Sequence, residues 1–127
     1  MILLTSEEIL ALHTKLIEKT GGTDGLKDNN LFESAIASMY AGYENYEHYK
    51  TVEEKSARLC YSLIANHAFI DGNKRIGILA MLVTLKLNHI ELKYTQNELV
   101  TLGLGVADAT LGYDEIYEWV ISHKVEK

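Results

Sequence analysis

The sequence predicts an all-α protein, a compact six-helix fold around a buried central helix. Six segments carry apolar residues at helical spacing, joined by short connections and without sustained strand-like alternation. Three of these segments open with a threonine followed three residues later by a glutamate, which is the pattern of a helix capping box. Proline, which interrupts helices, is absent from the 127 residues. We expect residues 1–127 to form a single domain.

Two helices are predicted in the N-terminal third. The first follows the capping box Thr5-Ser6-Glu7-Glu8 and stops at Gly21-Gly22, where glycine can adopt a left-handed conformation. Its apolar residues at helical spacing are Ile9, Leu12, Leu16 and Ile17. After a glycine-rich loop from Gly21 to Asp28, to which we assign a structural role, Asp28 or Asn29 caps the second helix. This helix should end near Gly42, and its predicted buried face comprises Leu31, Ala35, Ile36 and Met39.

Tyrosines recur at every third position after the second helix, at Tyr40, Tyr43, Tyr46 and Tyr49. The spacing allows two interpretations. In one, the rings pack along the rim of the domain. In the other, an exposed aromatic segment at residues 43–49 forms a flap against a bound partner.

The third helix and the central helix occupy the middle of the sequence. Thr51 and Glu54 provide the capping box of the third helix, whose inward-facing residues are predicted to be Ala57, Cys60, Tyr61 and Ile64. From Ile76 to Leu87 the sequence is apolar on nearly every face, as expected for a helix that its neighbours bury. This central helix should end at Asn88.

The C-terminal third is predicted to contain a short extended segment and two helices. β-prone residues near positions 89–94 favour the extended segment. Thr95-Gln96-Asn97-Glu98 then begins a helix that continues to about Val106. The apolar residues assigned to the last, amphipathic helix are Ile116, Tyr117, Trp119, Val120 and Ile121.

Composition argues against several classes of function. A net charge of -6 without a basic stripe argues against direct nucleic-acid binding. The longest apolar run, Ile76 to Leu82, is far too short to span a membrane, and the early polar residues are not typical of a signal peptide. We therefore expect a cytoplasmic protein with no membrane partner. The single cysteine cannot form an intrachain disulfide, and the five histidines show no metal-ligand spacing.

The segment from His67 to Arg75, His-Ala-Phe-Ile-Asp-Gly-Asn-Lys-Arg, is polar where its surroundings are apolar. A helix N-terminus carries unpaired N–H groups and a partial positive charge, so the turn before the central helix suits an anion. Gly72 lets the backbone approach a phosphate closely. Lys74 and Arg75 add an ammonium and a planar guanidinium, which together suit a polyphosphate. We therefore predict a nucleotide-handling site.

The remaining residues of the segment suit phosphate chemistry. Asp71 can share a magnesium ion with phosphate oxygens, and Asn73 can hold either a phosphate oxygen or the loop itself. His67 suits a general base that accepts a hydroxyl proton, because histidine side chains titrate near neutrality. Phe69 is predicted to be a structural anchor, inserted between helices to fix the polar groups on either side.

This segment resembles the signature of the Fic/Doc superfamily, His-x-Phe-x-Asp-Gly-Asn followed by a variable residue and arginine. It is most similar to the Doc branch. Fic proteins, which transfer AMP to target proteins, usually have glycine at the position of Lys74 and a second arginine at that of Ile78, whereas Doc toxins carry the Asn-Lys-Arg form. The resemblance covers almost the whole chain, including the opening from Thr5 to His13 and the Gly21-Gly22 turn.

The resemblance implies a compact all-α fold and the toxin of a toxin–antitoxin pair. Its activity would be that of a protein kinase, which transfers the γ-phosphate of ATP to a threonine of elongation factor Tu and halts translation. ATP and Mg²⁺ would be its cofactors. The catalytic residues would be His67, Asp71 and Lys74, with Asp71 as the magnesium ligand. The nucleotide-binding residues would be Gly72, Asn73, Lys74 and Arg75.

Regulation is expected to come from a separate protein. Many Fic proteins carry an inhibitory helix reading Ser/Thr-x-x-x-Glu-Gly/Asn, but the Glu44-Asn45 pair of this sequence has Tyr40 at the hydroxyl position. A Phd-like antitoxin with a disordered tail that folds on binding is therefore the expected partner. Two alternatives to the kinase stay open: an AMP transferase of the Fic type that acts on a protein hydroxyl, and a catalytically idle binding module.

Overall fold

The computed structural model describes residues 1–126, and helices dominate it. Six α-helices follow one another: α1 (Ser6–Thr20), α2 (Asn29–Ala37), α3 (Val52–Asn66), α4 (Asn73–Leu87), α5 (Gln96–Ala107) and α6 (Tyr113–His123). A 3₁₀ turn extends α2 over Ser38–Tyr40, and a two-stranded antiparallel hairpin joins β1 (Gly42–Tyr43) to β2 (Tyr46–Glu47). The all-α prediction with six helices is therefore confirmed.

Side chains cap the starts of the helices as their sequences indicate. In α1 the Thr5 hydroxyl accepts a hydrogen bond from the backbone N–H of Glu8 at 3.2 Å, and the Glu8 carboxylate accepts one from the N–H of Thr5 at 2.9 Å. The same reciprocal pair opens α3 and α5. Asp28 caps α2 by accepting from the N–H of Leu31 at 3.0 Å, which decides between the two predicted caps. These bonds satisfy N–H groups that have no partner within the helix.

The helix α4 is central, as predicted. Its residues Ile76 and Ala80 belong to one buried cluster, with side chains of α1, α2 and α3. On its other side it contributes Ile78, Met81 and Leu85 to a second cluster, with α3, α5 and α6. The helices α3 and α4 approach closely at Gly77. A Cβ added to this residue would lie only 2.6 Å from a side-chain carbon of Ile64.

Three helical faces differ in part from the apolar residues that the sequence assigns to them. In α2, Leu31 is 39% exposed and Phe32 is fully buried in its place. The buried residues Phe32, Ala35, Ile36 and Met39 follow the i, i+3, i+4, i+7 spacing of one helical face, which Leu31 does not share. In α1 the fully or nearly fully buried residues are Ile9, His13 and Ile17, while Leu12 and Leu16 are partly buried at the flanks. In α6, Ile121 is exposed.

The non-helical segments agree with the sequence in part. The predicted extended segment near residues 89–94 pairs with the chain after α6, through a bridge between Leu92 and Lys124. Tyrosines 40, 43 and 46 are exposed and only Tyr49 is buried, so the rim-packing interpretation is wrong for the first three. Whether a partner contacts them stays a prediction. No helix within residues 1–126 is both long enough and apolar enough to cross a membrane.

Candidate active site

The loop between α3 and α4 turns sharply at both ends. His67 ends α3 in a left-handed conformation with φ of 54°. Gly72 begins α4 with φ of 78°, a conformation that glycine adopts without steric cost. Between them a surface groove of about 290 Å³ is lined by His67, Ile70, Asp71, Gly72, Asn73, Lys74 and Arg75. Every polar residue that the sequence assigns to the site therefore lines one groove.

Phe69 lies beneath this groove rather than in it. Its side chain is 1% exposed. The ring meets Phe32 of α2 edge-on, with ring centroids 5.3 Å apart, and stacks on His13 of α1 at 3.8 Å. Such contacts with two helices are what an anchor of the loop requires.

Asn73, the first residue of α4, is buried and binds the loop itself. Its side-chain Oδ1 accepts a hydrogen bond from the backbone N–H of Phe69 at 2.9 Å, and its Nδ2 donates to the carbonyl of Phe69 at 3.0 Å. The sequence leaves two roles open for Asn73, and in the structure its side chain holds the loop. The amide satisfies two backbone groups that would otherwise be buried without partners.

The N-terminus of α4 presents backbone donors to the groove. The first intrahelical hydrogen bond runs from the N–H of Ile76 to the carbonyl of Gly72 at 2.8 Å, so residues 73–75 have no such bond to make. Gly72 provides no side chain that could cap them. An added Cβ at this position would lie 3.1 Å from the Ile17 side chain. The turn therefore combines free N–H groups with the positive end of the helix dipole.

Two cations flank these donors. The Arg75 guanidinium donates hydrogen bonds to the Thr20 hydroxyl and, at 3.2 Å, to the carbonyl of Gly21 at the end of α1. Lys74 is exposed, and its stem packs against Gly103 of α5. In the part of the chain that the structure describes, neither cation forms an ion pair with a carboxylate. Their charges are therefore available to an anion.

Asp71 is the carboxylate that lines the groove. One of its oxygens, Oδ2, accepts a hydrogen bond from the backbone N–H of Thr23 at 2.8 Å. Residues 1–126 contain no group of three or more side chains that could hold a metal ion without other ligands. A single carboxylate beside a turn that suits an anion nevertheless fits Mg²⁺, which usually binds one or two carboxylates together with phosphate oxygens and water.

Sequence reasoning missed the contribution of α1 and the glycine-rich loop. This loop pairs with the loop between α3 and α4, residues 67–72, which we call the site loop. The N–H of Lys27 donates to the carbonyl of Ala68 at 2.8 Å, and the N–H of Ile70 donates to the carbonyl of Gly25 at 3.1 Å. His13 bonds both the Asp24 carboxylate and the carbonyl of Asp71. The spacing of His13 four residues from Ile9 and from Ile17 was the available signal, because it places a polar ring on the buried face of α1.

Asp24 is held in its ionised form by this surrounding structure. Hydrogen bonds lower its pKa, the largest contribution coming from the Thr14 hydroxyl, with further ones from the N–H of Gly25 and from His13. The carboxylate is well exposed, so water shares in stabilising its charge. Asp24 therefore acts as an acceptor at the edge of the site.

Comparison with known proteins places the chain in a family. The model of the Fic/DOC family matches residues 3–85. Over 113 residues the chain is 28% identical to "Protein kinase doc" of Escherichia phage P1, covering 89% of this chain and 88% of that protein. It is also 35% identical over 72 residues to "Toxin Doc" of Mycolicibacterium smegmatis, covering 57% of this chain and 55% of that protein. Because the family match spans most of the chain and includes the entire groove-lining segment, the chain belongs to the Fic/DOC family.

Proposed function

We propose that this protein is a Doc-type toxin, a protein kinase that transfers the γ-phosphate of ATP to a threonine of elongation factor Tu and so halts translation. The observation that carries the proposal is the groove at the start of α4. There an exposed histidine, one carboxylate, free backbone donors and two cations lie together. A similar protein that bears the name of a kinase supports the same activity.

The proposed reaction gives a task to four side chains of the groove and to the backbone N–H groups at the start of α4. The threonine hydroxyl oxygen attacks the γ-phosphorus, an oxygen–phosphorus bond forms, and the bond from phosphorus to the β,γ-bridging oxygen breaks to release ADP. His67 accepts the hydroxyl proton. Lys74, Arg75 and the N–H groups of residues 73–75 neutralise the phosphate oxygens. Asp71 would hold Mg²⁺ together with those oxygens, and the bound ion would supply positive charge at the reacting phosphate.

Position 78 favours phosphate transfer over AMP transfer. Fic proteins usually have a second, phosphate-binding arginine at this position. In this chain the position is occupied by Ile78, which belongs to the core cluster that α4 shares with α5 and α6. Its exposed fraction is 9%. A buried apolar side chain provides no charge for the α-phosphate, whereas Lys74 and Arg75 remain for the terminal phosphates.

The mass of the target protein separates the two transfers. We expect incubation of the protein with elongation factor Tu and Mg²⁺–ATP to add one phosphate to the factor, measured by intact-protein mass spectrometry. An added adenylate would contradict the kinase and support the AMP transferase. An unmodified factor would contradict elongation factor Tu as the target.

His67→Ala tests whether the site is catalytic. We expect the rate of transfer to fall by about 10²–10⁴-fold, the usual contribution of a general base. The melting temperature should change little, because His67 is exposed and its ring forms no hydrogen bond within residues 1–126. If cells that lack the antitoxin were inhibited equally by the variant and the wild type, the protein would be an idle binding module instead.

The proposed regulator is a Phd-like antitoxin in the same cytoplasm. The name of one similar protein, "Toxin Doc", supports a toxin, and the resemblance implies that such a toxin is paired with an antitoxin. We expect co-expression of the product of a small neighbouring gene to restore growth and to co-purify with the toxin. Growth that does not recover would contradict the assignment of that product as the antitoxin.

A further inference from the structure

A buried histidine outside the family signature bonds the site loop. His13 of α1 has no solvent exposure. Its ring Nε2 lies 2.7 Å from the backbone carbonyl oxygen of Asp71, and its Nδ1 lies 3.2 Å from Oδ1 of Asp24. Burial of a polar ring is unfavourable unless its nitrogens are hydrogen-bonded, and both nitrogens of His13 have a partner.

The acceptor fixes the direction of the first bond. A carbonyl oxygen can only accept, so Nε2 carries a hydrogen and donates it to Asp71. The other partner, Asp24, is itself held in place: its carboxylate accepts from the Thr14 hydroxyl at 3.0 Å and from the N–H of Gly25 at 2.8 Å. His13 therefore links α1 to both the glycine-rich loop and the site loop.

Asp71 is consequently held at two points. His13 binds its backbone carbonyl, and the N–H of Thr23 binds Oδ2 of its carboxylate at 2.8 Å. The other oxygen, Oδ1, forms no hydrogen bond within residues 1–126, while the side chain lines the groove. The His13 ring also stacks on Phe69, with centroids 3.8 Å apart and planes inclined by 20°, so it contacts the anchor as well.

We propose that His13 is a positioning residue that fixes the direction of the Asp71 carboxylate through the hydrogen bond from Nε2 to the Asp71 carbonyl. Because Asp71 is the proposed magnesium ligand, this role rests on the proposed function. Groups that orient a metal ligand typically change metal affinity or activity by about 10–100-fold when they are removed. A role confined to packing would instead change stability and leave the affinity for Mg²⁺ unchanged.

Two amide variants separate these roles. In His13→Gln the side-chain nitrogen reaches as far as Nε2 and can still donate to Asp71. In His13→Asn the nitrogen reaches only as far as Nδ1, so the bond to Asp71 is lost. Both amides lose the aromatic stack on Phe69, which makes each the control for the packing effect in the other. Thr14→Val, which removes a bond to Asp24 and leaves His13 in place, is a further control.

The measurement is the affinity for Mg²⁺ of protein saturated with a non-hydrolysable ATP analogue, obtained by calorimetric titration. We expect His13→Asn to weaken this affinity by about 10–100-fold, and His13→Gln and Thr14→Val to stay within a few-fold of the wild type. Equal affinities in the Asn and Gln variants, whether both normal or both weakened, would overturn the proposal. This measurement reports binding and not transfer. If the protein proved to transfer AMP, the kinase proposal would be contradicted, but the role of His13 in Mg²⁺ binding would not.

A spectroscopic measurement on the wild type does not depend on whether the variants fold. In protein labelled with ¹⁵N-histidine, we expect Nε2 of His13 to carry a slowly exchanging proton. Its chemical shift should move when Mg²⁺ and the ATP analogue bind, because the donated bond ends on Asp71. A His13 ring without a proton on Nε2 would overturn the proposal.

Discussion

The two ends of α3 carry loops that are held in different ways. The hairpin before α3 exposes its tyrosines, with Tyr43 76% exposed, and its two strands pair over only two residues each. The site loop after α3 buries Phe69 and satisfies both backbone groups of that residue through Asn73. Both loops combine aromatic with polar residues, so the presence of an aromatic ring does not distinguish them. The two loops differ in the burial of their aromatic rings: Phe69 packs between helices, whereas Tyr43 is exposed to solvent.

Lys55 attaches the base of the hairpin to α3. Lys55 of α3 is 3% exposed, and its Nζ donates to the carbonyl of Met39 at 3.2 Å and to that of Tyr49 at 2.5 Å. These carbonyls flank the hairpin on either side. The base is therefore fixed while the tip, with the rings of Tyr43 and Tyr46 5.7 Å apart, is exposed to solvent. A fixed loop suits catalysis, and an exposed aromatic tip suits contact with a protein.

Phe69→Ala should cause the largest change, because it removes the anchor of the site loop. We expect the free energy of unfolding to fall by about 3–5 kcal/mol, as for other buried phenylalanines replaced by alanine. Urea denaturation followed by circular dichroism measures this. Ile70→Ala in the same loop, at an exposed side chain, is the control and should lose much less. Similar losses in both variants would show that the ring does not anchor the loop.

Asn73→Ala should have the next largest effect. The substitution leaves the N–H and carbonyl of Phe69 without their partners, which should cost about 1–3 kcal/mol. The same denaturation experiment gives the value, with Asn30→Ala on the exposed face of α2 as the control. Transfer activity should fall as well, since the loop carries the groove residues. Unchanged stability would mean that the two hydrogen bonds do not hold the loop.

Lys55→Met tests the attachment of the hairpin. The methionine keeps most of the apolar stem but leaves two carbonyls unsatisfied, so we expect a loss of about 1–2 kcal/mol. Lys50→Met is the matched control, because Lys50 is exposed and lies over the Tyr46 ring at 4.9 Å. Hydrogen exchange at the amides of residues 42–47 should accelerate in Lys55→Met alone. Equal exchange in both variants would contradict the attachment.

Tyr43→Ser and Tyr46→Ser should cause the smallest change in stability. Both rings are exposed, and surface substitutions usually alter the free energy of unfolding by no more than about 0.5 kcal/mol. If the tip contacts a partner, these variants should weaken modification of elongation factor Tu at low factor concentration and spare the rate at saturation. A loss of stability comparable to that of Lys55→Met would show that the tyrosines pack after all.

Local signals gave the sequence-based predictions their strength. The three threonine–glutamate capping boxes set the starts of α1, α3 and α5, because each box is complete within four residues. The apolar run from Ile76 predicted the central helix for a similar reason, since no solvent-facing side is left in it. The assignment of residues 1–127 to one domain stays a prediction, as do the nucleotide and metal.

The errors arose where the outcome depends on neighbours distant in the sequence. Leu31 and Phe32 are adjacent and both apolar, and which of them is buried depends on how α2 rests on Phe69. The spacing of three residues between tyrosines did not predict the hairpin. The base of the hairpin is held by Lys55, which lies in α3 and is not part of the tyrosine pattern. The sequence left two roles for the Asn73 side chain, binding a phosphate oxygen or holding the loop. The position of the Phe69 backbone decided for the second.

The sequence by itself determined the six helices, the groove-lining segment from His67 to Arg75 and, through its resemblance, the family. These features depend on residues that lie close together along the chain, because capping hydrogen bonds and helical spacing connect residues only a few positions apart. Only the tertiary structure decided that His13 and Thr23 hold Asp71, across 58 and 48 positions respectively. Such contacts leave no local pattern, because their geometry exists only after α1 and the glycine-rich loop have packed against the site loop.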